Sequence, residues 1–277
     1  MGLRWSGFRR VHRTVCKRLA RRLRELDLAD LDAYRPLLLR APEEWARLDE
    51  MCRIPISRFA RDRAVFDALA DDLLPVLAGG ARAAGRRRLT AWSAGCASGE
   101  EPYSLAIVWR LAVAPSAPDV ELTILATDID AEMLARARRA CYGPGSLRDL
   151  RPQWRAEAFA IRDGEECLED RFRRGVTLRR ADIRVGMPRG PFDLVLCRNL
   201  AFTYFDSQLA RRTLRGLHRR LRPEGLLVVG AHERPPDLAD APFERVGPAL
   251  PVYRRVGGSG PAGHGAPDRL EAVPDGT

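Results

Sequence analysis

Residues 90–130 limit what this chain can fold into more than any other stretch. They read TAWSAGCASGEEPYSLAIVWRLAVAPSAPDVELTILATDID. The apolar run 89–93 reads as a buried strand. It ends in a turn of small residues, Ala94-Gly95-Cys96-Ala97-Ser98-Gly99. Glu100 and Glu101 follow, then a helical run over 102–113. A second apolar run, 120–126, leads to Asp128. Strand, glycine turn, helix, strand and terminal acid make half of a nucleotide-binding α/β unit. Small side chains in the turn let backbone N–H groups approach a ligand. An acid at the tip of the next strand can accept hydrogen bonds from both ribose hydroxyls. The glycines are not the G-x-G-x-x-G fingerprint, and by themselves they suit a tight turn without a ligand equally well.

Two other stretches carry chemistry. Residues 192–205 read FDLVLCRNLAFTYF: a buried strand over 193–197, then Arg198 and Asn199 at the carboxyl edge, where α/β sheets bind ligands. Residues 51–62, MCRIPISRFARD, lead into a helix over 64–77.

The string WSAGCASGEEPYSLAI followed by LATDID resembles the S-adenosylmethionine motif of the chemotaxis-receptor methyltransferases, the CheR type. The other two stretches resemble that family's T-N-x-T-x-F-F-R-D/E and F-D-x-I-x-C-R-N-V-x-I-Y-F-D patterns. The resemblance covers about residues 27–256. It implies a class I, Rossmann-like methyltransferase domain that binds S-adenosyl-L-methionine and releases S-adenosyl-L-homocysteine. It also implies cofactor contacts at Ala94, Glu101 and Asp128, at Ser57 and Arg61, at Asp182 and Ile183, and at Arg198 and Asn199. Arg61 and Tyr204 take the places of the family's catalytic arginine and tyrosine. Arg61 would orient the cofactor or an incoming carboxylate; the plainer alternative is a structural ion pair with Asp62 or a neighbouring acid. Three departures surround this site. Pro55 stands where the family has asparagine, Ala60 where it has an aromatic. Four residues rather than three separate Asn199 from Tyr204, so Thr203 or Phe202 is an alternative to Tyr204 in facing the site.

The remaining features set bounds. The 277 residues suffice for one α/β domain and a small second one. No run of about 18 apolar residues exists, so no transmembrane helix is expected. The first residues, MGLRWSGFRRVHR, lack the apolar stretch of a signal peptide, and a cytoplasmic location is expected. The six cysteines are scattered with no C-x-x-C pair, which argues against a zinc site or a disulfide framework. Cys96 and Cys197 read as small buried apolar residues. The formal net charge is +10, but Lys17 is the sole lysine, which points to a GC-rich coding bias. No nucleic-acid-binding motif accompanies the charge, and nucleic acid is not an expected partner.

The expected organisation is a helical N-terminal domain over 1–78, a glycine- and arginine-rich linker over 79–88, a methyltransferase domain over 89–256 and a disordered tail over 257–277. Residues 1–25 hold nine basic residues and one acid, with Val11, Val15, Leu19 and Leu23 on one face of a basic amphipathic helix. It suits either a docked or solvated surface helix or a face for an acidic partner or a membrane surface. A short β-subdomain is expected about 158–180, with arms at 158–162 and 176–180 around Asp163-Gly164. His232 beside Glu233 reads as a structural residue of a strand-end turn. The implied reaction is formation of a glutamate methyl ester on an acidic protein such as a chemoreceptor cytoplasmic domain. The open alternatives are another protein or small-molecule acceptor, or a cofactor-binding module without catalysis.

Overall fold

The computed structural model describes residues 1–257, so the expected tail falls, from residue 258 on, outside the described residues. Three helices come first: α1 (His12–Glu25), α2 (Leu31–Arg40) and α3 (Pro42–Cys52). Asp30 starts α2 by accepting from Ala33 N. Glu44 of α3 is only 4% exposed, and it ties the three helices together. Its oxygens accept from Arg22 Nη2 of α1 at 2.7 Å and from the Tyr34 hydroxyl of α2 at 2.7 Å. The Arg22 contact holds the Glu44 carboxyl below its ordinary pKa.

Helix α4 (Arg63–Ala68) continues through a wide π-turn, Leu69–Leu73, into α5 (Leu74–Ala83). This corrects the linker expected over 79–88. Gly79 and Gly80 lie inside α5, and Ala78 and Ala81 beside them are buried. Burial of that face overrides the glycines' low helix propensity. The domain boundary moves with it. Val65, Phe66, Leu69 and Leu74 share one core with Leu89, Leu105 and Ile107 of the α/β unit, so the helices of 63–83 pack as part of that unit.

The α/β unit runs β1 (Arg88–Ala94), α6 (Glu100–Val108), β2 (Glu121–Asp128) and α7 (Ala131–Arg139). It continues with β3 (Cys141–Tyr142), α8 (Pro144–Leu147), α9 (Pro152–Ala158), β4 (Phe159–Arg162), β5 (Glu165–Leu168), α10 (Asp170–Arg173) and β6 (Val176–Arg180). Then come β7 (Phe192–Leu196), α11 (Ala201–Tyr204), α12 (Ser207–Arg220), β8 (Leu221–Val228), β9 (Phe243–Arg245) and β10 (Val252–Arg255). The main sheet has seven strands in the order β6-β2-β1-β7-β8-β10-β9. Neighbours from β6 to β8 are parallel, and the β8–β10 and β10–β9 pairs are antiparallel. Strand order reverses at β1, whose two neighbours are β2 and β7. That is where a parallel sheet opens a crevice at its carboxyl edge.

The small sheet has the order β3-β5-β4. The expected hairpin exists, but its second arm is Glu165–Leu168 and not 176–180. Asp163 and Gly164, at φ 50° and 78°, form the two-residue turn that favours such a short hairpin. Residues 176–180 extend the main sheet beside β2 instead. A further correction concerns the cysteines. Cys141 and Cys167 face each other across β3 and β5, with Cα atoms 3.9 Å apart, and form a disulfide. Their separation of 26 residues hid the pair. Cys96 and Cys197 are buried, as expected.

Phe59 fastens the segment before α4 to the small sheet. It is fully buried, with its ring 4.8 Å from Tyr142 and 5.1 Å from Phe159, edge-on to both. Its backbone N donates to Ser146 O. Phe59→Ala leaves a cavity at this junction and is expected to destabilise the protein by about 3–5 kcal/mol, read from chemical denaturation.

Candidate active site

The main cleft lies above the carboxyl ends of β1, β2 and β7 and encloses about 1180 Å³ of empty space, counting the part open to solvent. Gly95 begins the turn after β1 at φ +79°; a Cβ there would stand 2.7 Å from Leu200 Cδ2. Gly99 ends the turn at φ +92°, where a Cβ would meet Tyr103 and Ala137 below 3 Å. Both positions therefore require glycine.

Asp128 closes this turn from β2. Its Oδ2 accepts from Ala97 N at 2.8 Å and its Oδ1 from Asp130 N at 2.9 Å. Burial nonetheless pushes the Asp128 carboxyl above its usual pKa. Glu101, at the start of α6, is likewise raised by burial, against the pull of Arg198 and Ser93. Ser93 Oγ donates to its Oε1 at 2.7 Å.

Arg198 is the cationic centre of the cleft. It is 7% exposed and follows β7 directly. Nη1 meets Glu101 Oε2 at 3.2 Å; Nη2 meets Asp62 Oδ2 at 2.8 Å and Arg61 O at 2.6 Å. Its Nε is buried without a hydrogen-bond partner among the described residues, a donor left over for a ligand. Asp62 is thus spent on Arg198, and the alternative Arg61–Asp62 ion pair is not formed. Arg61 lines the cleft and donates through Nη1 to Ile56 O.

Asn199 follows at φ +55°, an uncommon conformation for a residue with a side chain. Glu233 holds it there. This acid is 5% exposed and lies just past β8. Its Oε2 accepts from Asn199 N at 2.7 Å and from Gly230 N at 2.7 Å. Its Oε1 accepts from Thr203 Oγ1 at 2.6 Å. Thr203 is therefore turned inward to Glu233. Tyr204 faces the cleft, and burial raises its hydroxyl pKa.

At the far end, Asp182 and Ile183 line the cleft in the loop after β6. The Asp182 carboxylate accepts from Arg184 N and Nε, and Arg184 reaches on to Asp49 of α3 at 2.9 Å. Ser57 also lines the cleft. One expected contact is displaced: the Ala94 side chain is buried in the core, and Gly95 and Ala97 line the cleft in its place. The expected residues are otherwise brought together, from Ser57 and Arg61 to Asn199 and Tyr204. Sequence reading missed Glu233, Arg184 with Asp49, and the cleft-lining Leu3 and Phe8. Glu233 carries a signal as an acid just past a strand end, and its neighbour His232 is exposed.

A mostly parallel sheet, a glycine turn at its switch point and acids on adjoining strand ends define an α/β protein that binds a nucleotide-bearing cofactor. Residues 56–247 match the family described as "CheR methyltransferase, SAM binding domain". The chain belongs to this CheR methyltransferase family and is an S-adenosylmethionine-dependent methyltransferase. It is 32% identical over 247 residues to a "Probable chemotaxis protein methyltransferase" of Rhizobium etli, covering 87% of this chain and 90% of the relative. It is 33% identical over 196 residues to a "Chemotaxis protein methyltransferase" of Listeria monocytogenes, covering 70% of this chain and 71% of that one. A "Chemotaxis protein methyltransferase 1" of Vibrio cholerae is 36% identical over 191 residues, with 67% and 66% covered.

The donor set fits the cofactor. Buried acids face the cleft where a cation would relieve them, and the orphaned Arg198 Nε offers a donor to an anionic group. Among the described residues, no group of histidines, cysteines and acids is arranged to hold a metal ion, and no helix is long and apolar enough to cross a membrane.

The Glu233 contacts make a graded prediction. Glu233→Ala strands two backbone N–H groups and is expected to cost about 1–3 kcal/mol or more, whereas Thr203→Val should cost about 0.5–1.5 kcal/mol. Glu233→Gln, which keeps an acceptor for the N–H pair, should fall between them in denaturant unfolding.

Proposed function

We propose that this methyltransferase forms glutamate methyl esters on an acidic protein, a chemoreceptor cytoplasmic domain, in the cytoplasm. The observation that carries the reading is the set of ionisable groups in the cleft. Among the described residues lining it are arginines, acids, a cysteine and a tyrosine, but no histidine or lysine to act as a base near neutral pH. An acceptor that arrives ionised needs no base. A glutamate, with an ordinary pKa of about 4.3, meets that condition, while an amine or phenol benefits from one.

In this reading each residue has a task. Asp128 accepts from the ribose hydroxyls, and Asp182 and Ile183 border the adenine. Glu101 and Arg198 face the charged methionine end, with Ser57 and Asn199 completing that wall. When bound, S-adenosylmethionine supplies a methyl group already activated by its positively charged sulfur. Arg61 orients the acceptor carboxylate, and Tyr204 covers the reacting centre and excludes water. The names of the Rhizobium, Listeria and Vibrio relatives support the chemotaxis substrate. The exposed arginines of α1 suit an acidic partner.

The test uses methyl-labelled S-adenosylmethionine and a purified chemoreceptor cytoplasmic fragment. Protein-bound label that leaves in base as volatile methanol supports a carboxyl ester; base-stable label, or none in protein, overturns it.

The raised acids give a pH signature with two opposite signs. S-adenosylhomocysteine affinity, measured by calorimetry, is expected to fall as pH drops through the raised values of Glu101 and Asp128, because protonation removes the acceptors. Stability of the ligand-free protein moves the other way. A carboxyl with a raised folded-state pKa holds its proton more tightly when folded, so its contribution improves as pH falls below that value. Asp128→Asn should flatten both profiles and weaken binding by about 1–3 kcal/mol.

A further inference from the structure

The first eight residues lie across the far side of the catalytic turn. Leu3 forms an antiparallel bridge with Phe205. Arg4 N donates to Tyr204 O at 2.8 Å, and Asp206 N donates to Gly2 O at 2.8 Å. Arg4 then turns its guanidinium onto the same turn: Nε donates to Thr203 O at 3.0 Å, and Nη2 donates to Phe202 O. A single arginine thus takes three consecutive carbonyls, those of residues 202, 203 and 204. They are carbonyls that the end of so short a helix as α11 leaves without partners. The short 3₁₀ turn Trp5–Phe8 completes the contact. Gly7 passes so close that a Cβ would stand 2.2 Å from Thr203 O. Phe8 is 3% exposed, its ring 4.8 Å from that of Tyr204. Leu3 and Phe8 themselves line the cleft.

This turn is the place where the chain carries one residue more than the family pattern. An added residue swings the following side chain away from its former direction, unless something fixes the longer turn. Two clamps do so here. Glu233 holds Asn199 N and Thr203 Oγ1 from within. The N-terminal segment holds the carbonyls and the Tyr204 ring from without.

We infer that residues 2–8 are part of the acceptor side of the active site: Arg4 is a positioning residue that sets the 202–204 end of the turn, while Asn199 is held separately by Glu233, and Phe8 sets the direction of Tyr204 and walls the acceptor's approach. The segment touches the acceptor end and leaves the cofactor end, at Asp128 and Asp182, to other elements. Its effect therefore falls on transfer and not on cofactor affinity. The inference rests on the acceptor-side role given to Tyr204 above.

The experiment compares the unsubstituted protein with Arg4→Ala, Arg4→Lys and Phe8→Ala. Three quantities are read: amide hydrogen exchange over residues 201–206, S-adenosylhomocysteine affinity by calorimetry, and methyl transfer to the receptor fragment at saturating cofactor. Arg4→Ala and Phe8→Ala are expected to speed exchange in the turn by about tenfold or more, since its hydrogen bonds open locally. They should lower transfer by about tenfold, as loss of near-attack geometry does. Cofactor affinity should stay within about threefold, because the ligand's own contacts are untouched. Arg4→Lys, which keeps one donor, should recover part of both losses. Unchanged exchange, unchanged transfer, or a matching loss of cofactor affinity each overturns the inference. If the wild-type protein transfers nothing to the fragment, the acceptor reading falls. The N-terminal role is then decided by exchange and affinity alone: faster exchange with constant affinity upholds it, and any other result removes it.

Discussion

A buried guanidinium organises this active site. Arg198 leaves the end of β7 and meets Glu101 from α6, Asp62 from the start of α4, and the Arg61 carbonyl. Three segments far apart in sequence are thereby fixed at the mouth of one sheet. A charge at this depth is tolerable only with its partners in place, since losing one leaves an uncompensated ion. The arrangement also leaves a net need. Burial disfavours ionisation of Glu101 and Asp128, and the Arg198 Nε has no partner among the described residues. Glu101 and Arg198 form one charged pair at the start of α6, and Asp128 is a second polar point at the end of β2, so a ligand with separate polar groups matches the cleft better than a simple anion does.

Four of the eight non-glycine positive-φ positions among the described residues lie beside this site. Ala60, Asp62, Ala97 and Asn199 all have positive φ without being glycine. Each is held by a specific neighbour. Ala60 N donates to Ser104 Oγ, and Ala97 N and Asn199 N donate to Asp128 and Glu233. Asp62 is gripped by Arg198. Sparsely populated conformations persist where the surroundings over-determine them. Here the over-determination comes from two polar side chains of the cleft lining, Asp128 and Arg198, and two just outside it, Glu233 and Ser104.

Much of this was legible in the sequence. Local signals with short range carried the glycine turn, the acid at the end of β2 and the Arg198–Asn199 pair. The Asp-Gly turn of the small hairpin was equally legible, because two positive φ values demand such residues. What was not legible depends on pairing over distance. The chain at 176–180 has the composition of a hairpin arm, yet it finds a better partner in β2. Cys141 and Cys167 carry no spacing motif and meet only because β3 pairs with β5. Gly79 and Gly80 read as a linker because propensity is local, whereas burial of Ala78 and Ala81 is not. Leu3 and Phe8 gave no sign of reaching the cleft, since nothing nearby in sequence announces what they cover.

The last of these is a matter of reach along the chain. Arg4 and Thr203 are separated by 199 positions, and closing so long a loop carries an entropic cost that only a nearly complete scaffold repays. The parallel strands and the cofactor crevice do not require that closure. The crevice is held without it, by contacts that also reach far along the chain: Arg198 meets Asp62 and the Arg61 carbonyl, 136 and 137 positions away. The grip of Arg4 on the carbonyls of residues 202–204 is the longest of these spans and adds the wall that faces Tyr204.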